Sequence, residues 1–580
     1  MEWNVFDADK LQLKEYMEKL NINEIMASVL LNRGVDYETA EVLLSKPLEA
    51  TQDPWLLVNV EQAAKEIIEA VQNNAEIWVF ADYDVDGITS GFVMTDFLRK
   101  TTNNDVYVYY PDRVNGYAIN MDFCKTLVKR KAEEGIEHML VITVDNGTTC
   151  VDEVKYLKEN GIEIVVTDHH QPKETLPDCT VVNPHIVEDK TYHHLCGCST
   201  AFKVVQVIED MVNNSGEDLT SQYLFAVAFG TVADMMPMTP ENIAMVRMGL
   251  EQVNSKECPK ALKHFKSYIG KKKLNPSDIG WEVGPRLNAC GRMGDIDKGA
   301  MLLFMDDEDN KSDIMDVIIE IEELNEERKS LTKKAEKELA KLDFDNDYVC
   351  IFDATGYPAG ISGIIAGRMA ERYKKVSLVM SGDEVLVGSA RCPQGFNLQT
   401  LLSDQVEKGN LLGFGGHEQA AGFTVHVDKI EDLRASLNEE LAVIYEEVLN
   451  NSGEASDPAL DIDCEIDLDC LNRLVYESIN ELPYDKQQFP NPVFSIPNLE
   501  VVKWKASRNN ENNICLTVKD INGRQKDIWA WKMGETYKEL GEPKFIDLAG
   551  KVDQNFMNKS QYTLNVLDIR SAVQEEKRAS

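Results

Sequence analysis

From about residue 75 the chain alternates apolar runs of strand length with amphipathic stretches, and this alternation restricts its fold more than any other feature. The runs are "EIWVFAD", "DVYVYY", "HMLVITVD", "IEIVVTD" and "CTVVNP"; between them lie helical patterns such as "AINMDFCKTLVKRKAEEG" and "VDEVKYLKENG". The pattern predicts an α/β domain over 75–265, a parallel sheet covered by helices. A helical segment is expected before it, over 1–74, where "LLNRGVDYETAEVLL" has helical spacing. Residues 310–342 lack Gly and Pro and are rich in Glu, Lys and Leu, which predicts a long connecting helix within a linking region of 266–345. A second, smaller α/β domain is expected over 346–448. The stretch "NNSGEASDPAL" reads as a linker opening a last region, 449–580, where strand-like pieces and an Asn522-Gly523 turn predict an OB-type β-barrel.

With 580 residues the chain is too long for one core. Its acidic start and the lack of any apolar run of about 18 residues make a cytoplasmic protein the expectation. Twelve cysteines without a C-x-x-C argue against a disulfide scaffold and a zinc ribbon. The net charge of −39 opposes a polyanionic substrate at first sight. Residues 501–570 are the exception, with twelve Lys or Arg against nine Asp or Glu.

The chemistry gathers where the predicted strands end. "ADYDVDG" places Asp82, Asp84 and Asp86 on alternate positions after the first strand. A calcium loop is excluded because its twelfth position would be Val93. Asp145 ends "VITVDNG", and Asp168, His169 and His170 end "IVVTDHH". In a parallel sheet the carboxyl ends of neighbouring strands converge on one crevice. Carboxylates with imidazoles and no cysteine suit Mn²⁺ or Mg²⁺, and two such ions would activate water and clamp a phosphoryl group. Asp234, in "GTVADMMPM", is a further candidate, equally readable as a helix-end residue.

In this order "DYDVDG", "VDNG", "TDHH" and "VADMMPM" resemble the four motifs of the DHH phosphoesterase superfamily. Together with "WEVGPRLNACGRM", "GFGGHEQAAGF" and the terminal barrel, they are similar to its branch of single-strand-specific 5′-to-3′ DNA exonucleases, with a DHHA1 module over 346–448. The resemblance implies a catalytic set of Asp82, Asp84, Asp86, Asp145, His169, His170 and Asp234. All of these except His170 would be metal ligands for two Mn²⁺ or Mg²⁺ ions. It further implies release of 5′-mononucleotides in DNA repair and recombination. Arg113, Ser389 and Arg391 would hold the 5′ phosphate. Arg286, Asn288, Arg292 and His417 would contact the DNA, the first three alternatively stapling the two α/β units together. In the barrel, Trp504, Trp529 and Trp531 lie among lysines and are candidates for stacking on bases, Trp504 being assigned to the DNA; one of Trp529 and Trp531 is expected in the barrel core.

Single-strand binding protein and a RecQ-like helicase would be partners, and a monomer without membrane contact is expected. The chain departs from the branch at Tyr357-Pro358, where Trp-His is usual, in "PYDKQQFPNPVF" at 483–494, and in a loop one residue shorter after Arg113. Two other readings are a family member acting on short oligonucleotides or cyclic dinucleotides, opposed by the barrel, and a non-catalytic replication scaffold, opposed by the retained carboxylates.

Overall fold

A computed structural model describes residues 2–45, 47–111, 118–213, 216, 218–306, 308–451, 459–484, 489–508, 510–555, 558 and 560–572. They fall into two compact units. One comprises 53–236 and 248–454; the other comprises 1–52, 237–247 and 455–580.

The larger unit contains both α/β domains. Its first sheet is parallel throughout, in the order Val106–Tyr109, Glu76–Ala81, Met139–Val144, Glu163–Thr167, Thr180–Val182. The central strand Met139–Val144 is buried at every residue, as its continuous apolar run requires in a sheet covered on both faces. The chain leaves Glu76–Ala81 for one neighbour and returns to pair on its other side with Met139–Val144, which creates a topological switch point between these two strands. Helix Val85–Thr101 starts there, with Asp84 as its N-cap accepting from the Gly87 N–H. At the opposite end of the sheet Glu76, 9% exposed, accepts from Arg130 Nε and Nη2, both at 2.9 Å, and from Trp78 Nε1 at 2.7 Å.

The long helix expected from composition spans Lys311–Leu339, and Asn310 caps it through the Ser312 and Asp313 amides. The second domain follows as a mixed sheet ordered Gly413–Gly416, Ala420–His426, Val385–Arg391, Val376–Gly382, Val349–Asp353. Only the last pair is parallel.

In the smaller unit, Phe494–Ala506, Ile514–Lys519, Gln525–Ala530, Phe545–Gln554 and Tyr562–Ser571 form an antiparallel barrel of OB type, and its terminal strands Gln525–Ala530 and Tyr562–Ser571 contact each other. The first residues of the chain belong to this unit. Strand Trp3–Val5 pairs in parallel with Leu460–Ile462, Trp3 Nε1 donates to Asp568, and Val29 joins the barrel core. Arg33 pairs with Asp463 at 2.8 Å, both side chains being nearly buried, and its guanidinium lies 4.8 Å from the Phe489 ring centre. Periodicity alone reveals helices in this segment but not their partner. Much of the linker at 450–460 and part of the 483–494 departure lie outside the described residues.

Candidate metal centre and its surroundings

Asp82 and Asp145 sit immediately past the two strands that flank the switch point, so the topology brings them together. Each is almost fully buried. Asp82 Oδ1 accepts from the Tyr83 N–H at 2.6 Å. Gly87 follows because a Cβ there would stand 2.3 Å from the Asp82 carbonyl oxygen. Asp145 has φ 62°, the left-handed conformation that Asp tolerates better than most residues, and its N–H donates to the Thr167 carbonyl at 3.0 Å.

Asp86 lies in the first turn of its helix, 2% exposed, and is held by the start of another. The Gly197 N–H donates to its Oδ2 at 2.6 Å and the Cys198 N–H to its Oδ1 at 2.9 Å, the first amides of helix Gly197–Val212. Free N–H groups of a first turn are natural partners for a carboxylate. A Cβ at Gly197 would meet Asp145 Cβ at 2.5 Å, and one at Gly230 would meet Asp86 Oδ1 at 2.5 Å. These glycines and the "CGCST" helix start went unremarked in the sequence. A small-residue run opening an apolar helical pattern was the available signal.

His169 Nε2 lies 3.1 Å from Asp145 Oδ1, 3.7 Å from Asp86 Oδ2 and 3.8 Å from Asp234 Oδ2. Asp234 caps the carboxyl end of helix Leu224–Ala233, and it reaches the cluster from there. Asp168 takes a different part. Its Oδ1 accepts from the His169 and His170 N–H groups and lies 2.8 Å from His170 Nδ1, while its Oδ2 accepts from the Thr148 N–H. It orients the histidine pair.

Three sets have ligand atoms within 4.8 Å of one another: Asp82, Asp84 and Asp145; Asp86, His169 and Asp234; Asp145, His169 and His170. Asp145 is common to two of them. Its buried Oδ1 makes no hydrogen bond among the described residues despite the nearby imidazole. Burial, and then the Asp84 carboxylate, push Asp86 up to about 6, although the Cys198 and Gly197 amides oppose this. Burial and Asp86 hold Asp145 and Asp234 well above the usual carboxylate range. Burial pushes His169 down to about 3, aided by His170. His170 rises to about 10 because the carboxylates, Asp168 first, outweigh its burial. A neutral imidazole, an orphaned carboxylate oxygen and crowded acids are the donor set that a hard divalent cation satisfies, so these residues fit such ions.

Helix Gly284–Met293 braces the cluster. Asn288 Oδ1 accepts from the Val85 N–H at 3.2 Å, and a Cβ at Gly291 would fall 2.3 Å from the Tyr83 carbonyl oxygen. Arg292 Nη1 donates to the Gly360 carbonyl at 2.9 Å, joining the two α/β domains. Arg286 is paired with Glu322 at 2.5 Å and Glu282 at 2.7 Å. Of the three, only Arg292 joins the two α/β domains; Asn288 holds the start of helix Val85–Thr101, and Arg286 is tied within the linking region.

Ser389 and Arg391 share one face of Val385–Arg391 and point at Gly363, where a Cβ would stand 3.4 Å from Ser389 Oγ and 3.2 Å from Arg391 Nη2. The glycine-rich stretch forms a hairpin beside them, with Gly422 opposite Ser389. His417 closes that hairpin, its N–H donating to the Ala420 carbonyl at 2.8 Å. Burial, and then His170, lower its pKa, so the second domain's hairpin lies within electrostatic range of the histidine pair. Arg113 lies outside the described residues.

In the barrel, Ile528 and Ala530 face the core, so Trp529 and Trp531 share the outer face, and the expectation that one of them enters the core is wrong. Residues two apart on a strand point the same way. Their rings stack 5.2 Å apart at 14°. Trp529 lines an open cavity of about 1110 Å³ with Lys505, Lys526, Arg473, Arg524 and Tyr562. Trp504 instead packs edge-on against Tyr537 and donates from Nε1 to Glu542 at 3.2 Å.

A parallel-sheet domain with this carboxylate and histidine cluster, a DHHA1 domain and an OB barrel define a DHH/DHHA1 phosphoesterase architecture. Family models agree: the DHH family N-terminal domain matches residues 76–231, the DHHA1 domain 346–443 and the RecJ OB domain 462–568. In domain content and order the chain is similar to RecJ proteins.

The single-stranded-DNA-specific exonuclease RecJ of Bacillus subtilis (strain 168) is 29% identical over 576 residues, spanning 96% of this chain and 69% of the relative. That of Haemophilus influenzae is 26% identical and spans 83% and 84%. The crystal structure of RecJ in complex with Mn²⁺ from Thermus thermophilus has the same fold, with TM-score 0.77 and 24% identity over 99% of this chain and 80% of that one. A structure of exonuclease RecJ bound to manganese matches with TM-score 0.58 and 26% identity, over 67% of this chain and 95% of that one.

Proposed function

We propose that this protein is a metal-dependent exonuclease that hydrolyses single-stranded DNA from its 5′ end and releases 5′-mononucleotides, with a role in DNA repair and recombination in the cytoplasm. The observation that carries this reading is Asp145, buried, without a hydrogen bond at Oδ1 and common to two ligand sets. It supports a pair of Mn²⁺ or Mg²⁺ ions, one held by Asp82, Asp84 and Asp145, the other by Asp86, His169 and Asp234, the two sets meeting where Asp145 Oδ1 lies 3.1 Å from His169 Nε2. When bound, such ions lower the pKa of water and offset charge on the scissile phosphate.

The chain's own groups do the rest. Asp168 fixes the His170 ring and keeps Nδ1 protonated, leaving His170 as a cationic contact for a phosphate oxygen. Ser389 and Arg391 bind the terminal 5′ phosphate, a forked guanidinium suiting its oxygens, and Arg113 assists. An anchored end restricts cleavage to the first linkage. Trp529 and Trp531 with the nearby lysines bind unpaired bases, while Trp504, packed on Tyr537, supports the barrel. Partner proteins of the kind expected from the family, a single-strand binding protein and a RecQ-like helicase, would deliver unpaired strands to a monomeric enzyme.

The test uses single-stranded DNA labelled at its 3′ end, with the 5′ end phosphorylated or blocked, incubated with Mn²⁺ beside an Asp145→Ala control. Stepwise shortening only from the free 5′ phosphate, absent in the control, is the expected result. Shortening from the 3′ end, or cleavage confined to di- to pentanucleotides, would overturn the reading.

A further inference from the structure

A small cavity of about 180 Å³ in the larger unit has Arg292, Arg328 and Asn288 as its polar lining, with Ala233 and Ile364 among its apolar walls. None of its described lining residues is a carboxylate, in a chain carrying 99 acidic side chains. Arg328 projects from the long helix Lys311–Leu339, and its Nη2 donates to Asn325 Oδ1 at 2.9 Å. Its Nε is buried and has no hydrogen-bond partner among the described residues. Burial, and then the Arg368 guanidinium, lower its pKa, the sign of a cation short of compensation.

Among the described residues two other buried donors outside the cavity lining are also unpaired: Asn325 Nδ2, one turn earlier on the same helix, and Ser362 Oγ, two residues before Ile364. A buried donor left unmatched costs roughly 1 to 3 kcal/mol, so an unpaired guanidinium nitrogen on a residue lining a cavity without carboxylates points to an acceptor that arrives with a ligand. The position narrows its identity. Ala233 precedes Asp234 of the metal cluster, and Ile364 follows Gly363, which Ser389 and Arg391 face. The cavity therefore adjoins residues of both the proposed cleavage site and the proposed 5′-phosphate site.

We propose that this cavity is a third phosphate subsite, in which Arg328 with Arg292 takes the oxyanion of one internal phosphodiester of the bound single strand. The inference rests on the function proposed above and adds a residue that fixes strand register. Arg328 binds a non-reacting phosphate, so its loss weakens binding more than turnover.

The experiment measures single-stranded DNA affinity of the full chain with Mn²⁺, in an Asp145→Ala background to prevent cleavage, across a range of salt. A single-strand phosphate contact contributes about 0.7 to the slope of log K against log [salt]. Arg328→Gln is expected to reduce the slope by that amount and weaken binding roughly 10-fold. Ile364→Glu, which puts a carboxylate into the cavity wall without touching Arg328, should do the same, whereas Arg328→Lys should keep the slope. A scan with one neutral methylphosphonate linkage at a time should find a position that costs the parent protein affinity and costs Arg328→Gln nothing. An unchanged slope in both cavity variants, or the same methylphosphonate penalty in parent and Arg328→Gln, overturns the subsite alone. Absence of single-strand binding by the parent overturns the function with it.

Discussion

Gly197 and Asp145 are in such close apposition that a single methyl group at 197 would stand 2.5 Å from both Cβ and Oδ1 of the aspartate. The same glycine donates its N–H to Asp86. One residue without a side chain thus sets the spacing of two acids, one in a helix and one just past a strand. Gly197→Ala is expected to displace Asp145 or the helix start, lowering nuclease activity at least about 100-fold, on the scale of a 1 Å misplacement in a reacting constellation. Turnover of 3′-labelled single strands checks the loss, and circular dichroism should find the fold retained.

Asp145→Asn tests the metal assignment through stability. The native carboxylate is held above its usual range by burial and by Asp86, so without metal it opposes folding. The variant should melt higher than the parent after chelation, by roughly 1 °C for each kcal/mol relieved in a unit of this size. Added Mn²⁺ should raise the parent's Tm and leave the variant's nearly unchanged. Differential scanning calorimetry with EDTA and with Mn²⁺ reads both.

Glu76 provides a pH signature remote from the metal cluster. Burial opposes its ionisation, but Arg130 and Trp78 outweigh burial and hold its pKa below the usual glutamate value. A group depressed in the folded state stabilises above its unfolded pKa, and that stability is lost as pH falls through the folded value. Glu76→Gln should therefore cost about 2 kcal/mol at pH 7, a deficit that shrinks progressively below about pH 4.5. Urea unfolding at pH 7, 5 and 4 measures it.

The barrel tryptophans should separate into two kinds. Trp529→Ala and Trp531→Ala should each weaken single-strand binding by about 1 to 3 kcal/mol, the usual worth of one base on an aromatic platform, with little effect on Tm. Trp504→Ala, whose ring lies against Tyr537, should lower Tm first. Fluorescence anisotropy with labelled oligonucleotides, read beside melting curves, distinguishes them.

Arg33→Ala removes one partner of a nearly buried pair and leaves Asp463 uncompensated, so the smaller unit should lose about 3 kcal/mol. Thermal melts of the full chain should acquire an earlier transition.

Much of the cluster was legible because strand ends are marked in sequence: Asp82, Asp145 and Asp168 each follow an apolar run, and a parallel sheet gathers such ends. What the sequence concealed depends on atoms rather than residue types. Asp168 looks like Asp145 on the page, but its oxygens are taken by the His169, His170 and Thr148 amides. Arg286 looks like a phosphate ligand until Glu322 is found 36 residues away in sequence and 2.5 Å away in space. The placement of Trp529 and Trp531 on one face, by contrast, follows from period-two strand geometry alone.

Strand Trp3–Val5 has a consequence for how the molecule is made. Its partner, Leu460–Ile462, is translated more than four hundred residues later. At about 5 to 20 residues per second the earlier strand waits on the order of 20 to 90 s on the ribosome before its hydrogen-bonding edge can be covered. The larger unit, encoded mainly between the two, can be complete by then. Strand Trp3–Val5 is thus made before the larger unit and folds after it, and a nascent chain interrupted before residue 460 would carry an assembled catalytic unit with an open strand ahead of it.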